Sequence, residues 1–214
     1  MRLHHAAWLL PIAAPPIPDS AIAVEGCRIA AVGPFAALRR QCPGDTTDHG
    51  DAVLLPGLVN AHTHLEWSFL CGSVRPRHDF VNWVREITEK RLATPPEEVS
   101  TAIRIAVEEV VSTGTVAVGE VINNLNFNVD SVEDLAARAI QGVVFVELLG
   151  FQGERAAEVL QTGQRSLEAL RDRAPSFAFH LSPHAPYSVS PALFRLLRAQ
   201  TERRTVHLAE NDAE

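Results

Sequence analysis

The stretch Pro56-Gly57-Leu58-Val59-Asn60-Ala61-His62-Thr63-His64 decides how this chain is read. Pro56-Gly57 breaks the preceding structure. Leu58 to Ala61 then forms a short apolar run that reads as a buried strand. Residues two apart on a strand point to the same face. His62 and His64 are therefore expected to converge at the strand's C-terminal end. Neutral imidazole is a good ligand for zinc and related divalent ions. An H-x-H pair also arises by chance on surface loops, but the buried strand before this one favours a metal.

Downstream of this strand, helical and strand patterns alternate. Asp79 to Arg91 reads as a helix with Asp79 as N-cap and Phe80, Trp83, Val84 and Ile87 on one face. Pro95-Pro96-Glu97 opens a second helix, with Val99, Ile103, Ala106 and Val110 at helical spacing and Gly114 closing it. Strands are expected over 115–121, 142–149, 176–181 and 205–208, and helices over 131–139, 154–173 and 191–201. The run Val143-Val144-Phe145-Val146 is apolar on both sides, as a strand covered on both faces must be. The expectation is an α/β fold with a parallel sheet. An open doubly wound sheet and a (β/α)8 TIM-type barrel both satisfy it. No G-x-G-x-x-G or G-x-x-x-x-G-K-[ST] loop is present to support nucleotide binding on an open sheet.

A full barrel takes about 250 residues, with about 200 as a floor. Residues after 55 number 214 − 55 = 159, so an incomplete barrel of about five β/α units is expected. Residues 1–55 read as a small β-rich unit. It has a strand over 2–10, a hairpin of 21–24 and 27–32 about a turn at Glu25-Gly26, and a short helix over 35–40. The expected organisation is thus 1–55 and 56–214.

Composition narrows the function classes. Apolar residues make up 46% and charged residues 21%, an ordinary globular balance. The net charge is 19 − 26 = −7 and Lys90 is the sole lysine, so nothing favours nucleic acid as a partner. No run of about 18 apolar residues exists to span a membrane. Ala6 to Ala14 follows Arg2 in the manner of a signal peptide, but Pro11 interrupts it and Pro15-Pro16 follow, so a strand is the expected use. Cys27, Cys42 and Cys71 are odd in number and widely spaced, which suits reduced thiols in a cytoplasmic protein.

Two further segments carry chemistry. In His207-Leu208-Ala209-Glu210, His207 closes the expected fifth strand, where a third imidazole would complete a metal set. Glu210 just beyond it suits a proton shuttle, or is a solvated loop residue. In Ser182-Pro183-His184-Ala185-Pro186-Tyr187-Ser188, two prolines stiffen a loop from which His184 could donate to a substrate and Tyr187 could line a pocket. The same residues also fit a rigid turn with a packed aromatic. Glu66, Trp67, Glu120 and Glu147 lie near strand ends and could face the pocket. His180 reads as a core residue, and His4, His5, His49 and His78 as surface residues without partners.

Together these segments resemble the amidohydrolase superfamily, in the branch of cytosine, guanine, S-adenosylhomocysteine and aminofutalosine deaminases and triazine chlorohydrolases. The resemblance rests on Pro56 to His64 with Leu65-Glu66, on Ser182 to Ser188 and on His207 to Glu210. His64-Leu65-Glu66-Trp67-Ser68, followed by Asp79-Phe80-Val81-Asn82-Trp83, is most similar to the aminofutalosine side. The resemblance implies that His62, His64 and His207 bind one divalent metal ion, zinc or alternatively iron. It implies hydrolytic deamination of an amino-substituted, nucleobase- or nucleoside-like heterocycle by metal-bound hydroxide. Glu210 would protonate the ring nitrogen, while His184, Glu66, Trp67 and Tyr187 would contact the small-molecule substrate. It also implies a β-sandwich around residues 1–55 and allows a homo-oligomer.

The family pattern further asks for a histidine after strand six and an aspartate after strand eight, beyond Glu214. The 214-residue chain is accordingly expected to bind zinc weakly and to lack deaminase activity by itself. The alternatives are a non-catalytic chain serving as a binding or dimerisation module, and a chlorohydrolase or cyclic-amide hydrolase on the same fold.

Overall fold

The computed structural model describes residues 1–74, 79–123, 130–200 and 203–210. The chain divides into two compact units, Met1–Gly57 and Leu58–Glu214.

The first unit is built on β1 (Arg2–Leu9), β2 (Ile17–Glu25), β3 (Arg28–Pro34), α1 (Phe35–Gln41), β4 (Asp45–Asp48) and β5 (Val53–Leu54). Its sheet runs β3-β2-β1-β4, with β5 also paired to β1. β2 and β3 form the expected hairpin, closed by Glu25↔Arg28. Gly26 takes φ 58° in the turn, a conformation that a side chain would resist. Leu3, Ala21, Ala23 and Leu38 make a small core between sheet and helix.

The histidines of this unit do have partners, contrary to the expectation for them. His5 on β1 reaches Asp19 with Nε2 (2.9 Å) and Asp48 with Nδ1 (3.0 Å), and its ring lies on Phe35. His4 Nδ1 is 3.1 Å from His49 Nε2. Their spacing along the chain hid this, because strand pairing and not local sequence brings them together. His78 falls outside the described residues.

The second unit carries a parallel sheet of β6 (Leu58–Thr63), β7 (Thr115–Asn123), β8 (Gln141–Leu148) and β9 (Ala178–Pro183), in sequence order. The connecting helices are α2 (Phe80–Ala93), α3 (Pro96–Ser112), α4 (Asp130–Ala137), α5 (Ala156–Arg173) and α6 (Pro191–Arg198). Asp79 caps α2 by accepting from the Asn82 amide, and Ser190 caps α6 by accepting from that of Leu193. Buried Val99, Ile103 and Val107 repeat every fourth residue of α3. Leu160, Gly163, Leu167 and Leu170 form the matching stripe on α5. They pack on the sheet side chains Val118, Ile122, Val144, Val146, Leu148, Phe179 and Leu181 in one continuous core. Each such aliphatic side chain contributes about 1.5–3 kcal/mol by leaving water. No helix among the described residues is long and apolar enough to cross a membrane.

Four expectations change. β6, read from its apolar run as a buried strand, ends the described sheet and is exposed from Leu58 to His62. Residues 205–208 form no strand ladder. Thr205 N donates to the Ser182 side chain (2.9 Å) and His207 N to the His184 carbonyl (2.8 Å), so a side chain takes one of the places a backbone ladder needs. The described parallel sheet therefore has four strands, not five. The apolar face expected on α2 is only partly covered, since no residue of that helix is buried. His180 is half-buried on β9, with its ring beside Phe145.

Candidate metal centre

The local geometry of β6 is less regular than simple alternation suggests. The β6–β7 register passes from Asn60↔Val118 to Thr63↔Glu120, so β6 carries an extra residue there. Gly119 makes room for this bulge, because a Cβ on it would run into the Ala61 carbonyl oxygen. The strand ends at Thr63 and a 3-10 turn follows over Leu65–Leu70. Despite the bulge, His62 Nε2 and His64 Nε2 meet at 3.2 Å.

His207 arrives from 143 residues away, its Nε2 also 3.2 Å from His64 Nε2. One ligand atom from each of the three rings lies within 4.8 Å of the others, a group able to hold a metal ion. The outer nitrogens are engaged too. His207 Nδ1 is 2.6 Å from Glu210 Oε1, and His62 Nδ1 is 3.1 Å from Thr205 Oγ1. A carboxylate only accepts, so His207 Nδ1 must carry the hydrogen, and in the neutral ring Nε2 then presents a lone pair. Three ring nitrogens facing one another are what a cation satisfies, and the donor set suits zinc. The residues therefore fit the implied ion.

Electrostatics divide the three rings. Burial pushes His64 down to about 4, which keeps it neutral and available as a ligand. Burial and the neighbouring His207 also lower His62. The carboxylates of Glu147 and Glu210 push His207 up to about 9 against the effect of burial. In the ion-free centre His207 thus holds a positive charge where a metal would supply one.

His184, Tyr187 and Glu210 gather beside His207. Tyr187 donates to Glu210 Oε2 at 3.2 Å. Burial works to raise the Glu210 carboxyl, but His207, Tyr187 and His184 together outweigh it and hold it below the ordinary value. His184 Nδ1 lies 2.6 Å from Ser188 Oγ, and its ring centroid is 5.0 Å from that of His207. Tyr187 packs edge-on against His184 and Phe80. The Trp67 ring stacks on Phe69.

Three buried carboxylates stand at the ends of the strands. Glu66 accepts from the Asn123 amide (3.1 Å) and Glu120 from the Leu65 amide (3.4 Å), which ties the turn after His64 to β7. Burial pushes Glu66 up to about 8, and Glu120 well above the usual carboxylate range. Glu147 on β8 is 1% exposed, and its Oε1 stands 3.4 Å from His207 Nε2. Sequence reasoning did not identify Thr205, Ser182 or Ser188 as supports of the centre. Thr205 carried a usable signal, because it stands two residues before His207 and an extended chain puts both on one side.

Residues 53–214 match the model of the amidohydrolase family. Over 209 residues the chain is 29% identical to a 5-methylthioadenosine/S-adenosylhomocysteine deaminase of Nitratidesulfovibrio vulgaris, covering 92% of this chain and 46% of that protein. Among solved structures it is similar to an adenosine deaminase from Xanthomonas campestris with bound zinc. There the TM-score is 0.70 and the identity 25%, over 100% of this chain and 50% of the other. It also shares the fold of Helicobacter pylori aminofutalosine deaminase in complex with methylthio-coformycin. That match has a TM-score of 0.81 at 23% identity, over 98% of this chain and 51% of the other. The chain spans about half the length of the curated relatives it matches.

Proposed function

The chain belongs to the amidohydrolase family, and from that membership we propose that it is part of a metal-dependent deaminase of amino-substituted, nucleoside-like heterocycles. The observation that carries the proposal is the meeting of His62, His64 and His207 at Nε2 separations of 3.2 Å across 143 residues of chain. Its relatives bear the names of deaminases acting on C–N bonds.

In this proposal His62, His64 and His207 hold a single zinc ion, with iron the other candidate. A divalent ion so held supplies Lewis acidity and makes water nucleophilic near neutral pH. Glu210 is held ionised by its neighbours, so it starts as a proton acceptor. It takes a proton from the attacking water and returns it to the ring nitrogen beside the carbon that loses its amino group. Tyr187 and His207 fix the two Glu210 oxygens for this transfer. His184, Glu66, Trp67 and Tyr187 contact the substrate. Glu66, neutral below about pH 8, can donate a hydrogen bond to it.

We place β6–β9 as the first four staves of a (β/α)8 barrel covering residues 56–214, and residues 1–55 within a β-sandwich, in a cytoplasmic protein. Ammonia release from adenosine-type nucleosides tests the function. It is expected from the zinc-loaded protein expressed from its whole coding frame, and it is expected to disappear in His64→Ala and in Glu210→Gln. Chloride release from chlorotriazines with no ammonia from nucleosides would instead favour a chlorohydrolase. No turnover of either kind by the metal-loaded protein would refute the proposal.

A further inference from the structure

We infer that Ser188 is a positioning residue. Its hydroxyl fixes the ring of His184 so that Nδ1 carries a hydrogen and Nε2 is the nitrogen offered to the centre. The inference rests on the proposed contact between His184 and the substrate, and it assigns the atom that makes that contact.

Both residues stand on anchored backbone. The loop after β9 is sewn to the end of β8. His184 N donates to the Leu148 carbonyl (3.1 Å), Gly150 N to that of Ser188 (3.0 Å) and Ser190 N to that of Gly150 (2.7 Å). Gly150 and Val189 pair as an isolated parallel bridge. Ala185, Ser188 and Val189 are all buried. Neither side of the His184–Ser188 contact can drift away from the other.

The hydrogens then have one consistent arrangement. A serine hydroxyl has one hydrogen and two lone pairs. Ser188 Oγ lies 3.2 Å from the Ala185 carbonyl oxygen and 2.6 Å from His184 Nδ1. A carbonyl oxygen only accepts, so the hydroxyl hydrogen goes to Ala185. Toward His184 the same oxygen then accepts, and Nδ1 is the donor. The reverse arrangement leaves two oxygens facing each other with no hydrogen between them, which is costly at a buried position.

The other ring nitrogen follows. His184, Glu147 and His207 form a group in which one nitrogen or oxygen from each lies within 4.8 Å of the others. With Nδ1 given to Ser188, Nε2 is the nitrogen that His184 offers there. Tyr187 stands edge-on to the ring, with 5.7 Å between centroids, and packs against another side of it. In its neutral form His184 therefore presents a lone pair on Nε2.

Nitrogen NMR of the zinc-loaded full chain tests this, because a histidine nitrogen resonates differently with and without a hydrogen. The His184 signals are assigned by their loss in His184→Gln. Spectra are taken at about pH 9, above the ordinary histidine range. The wild type is expected to carry the hydrogen on Nδ1. Ser188→Ala is expected to shift the ratio of the two neutral forms about fivefold toward hydrogen on Nε2, the bias that one ordinary hydrogen bond sustains. Ser188→Thr keeps the hydroxyl and is expected to restore the ratio. Hydrogen on Nε2 alone in the wild type would overturn the inference without any variant having to fold. An unchanged ratio in Ser188→Ala would overturn it as well. In the protein expressed from its whole coding frame, KM for adenosine is expected to rise about fivefold in Ser188→Ala with kcat little changed, as for lost uniform binding. An unchanged KM beside a shifted ratio would overturn the substrate contact of His184. A shifted ratio upholds the role of Ser188 whether or not adenosine is deaminated, whereas failure of the deaminase reading shows in turnover alone.

Discussion

Glu66 shows how one buried residue couples this centre to pH. Its carboxyl sits near 8 in the folded chain against an ordinary 4.5, mainly because burial penalises the charged form. Between those values the folded chain holds a proton that the unfolded chain has released. Stability of the metal-free protein therefore falls as pH rises through this window, at about 1.4 kcal/mol per pH unit from this group alone. His64, lowered to about 4 by burial, acts in the opposite direction at the acid end, so the total curve mixes both. The difference between Glu66→Gln and wild type isolates the Glu66 share. In urea unfolding, the variant's stability advantage is expected to grow from about pH 5 to 8 and then level. Parallel curves would contradict the assigned protonation state.

At the scale of the element, β6 matters most. Its bulge opposite Val118 and Glu120 sets the direction of His62, while Gly119 on β7 leaves the space for it. Gly119→Ala would push a methyl group into the Ala61 carbonyl. We expect a loss of about 1–3 kcal/mol, typical of overpacking, and a larger proportional loss of zinc affinity as His62 turns away. Denaturant unfolding and zinc titration of the same sample check both, and wild-type behaviour in both would refute the role given to Gly119. The expected strand at 205–208 teaches a related lesson. The apolar pattern Val206-Leu208 invites a ladder, yet Val206 and Leu208 are 42% and 66% exposed. The segment is held by the Ser182 hydroxyl and the His184 carbonyl, which suffices to deliver His207.

At the scale of the whole molecule, the ion proposed for this centre would act as a cross-link between residues 62, 64 and 207. A ligand that binds only the folded chain stabilises it by about 2.7 kcal/mol at one hundred times its dissociation constant. Zinc is accordingly expected to raise the melting temperature and a chelator to reverse the change. The His64→Ala chain should show neither effect in calorimetry, and an equal shift in that variant would place the ion elsewhere.

The sequence by itself determined the parallel α/β character of the second unit, because helical and strand periodicities alternate from residue 58 onward and strand cores such as 143–146 are apolar on both faces. It also marked His62, His64, His207, His184 and Glu210 through short local patterns. Only the tertiary structure decided that the imidazoles share one point, since a contact across 143 residues depends on how the strands stack. It alone paired His5 with Asp19 and Asp48, and it alone buried Glu147. Periodicity fixes which way a side chain leaves its own strand; what it meets there is fixed by the register and closeness of the neighbouring strands, which no local pattern encodes.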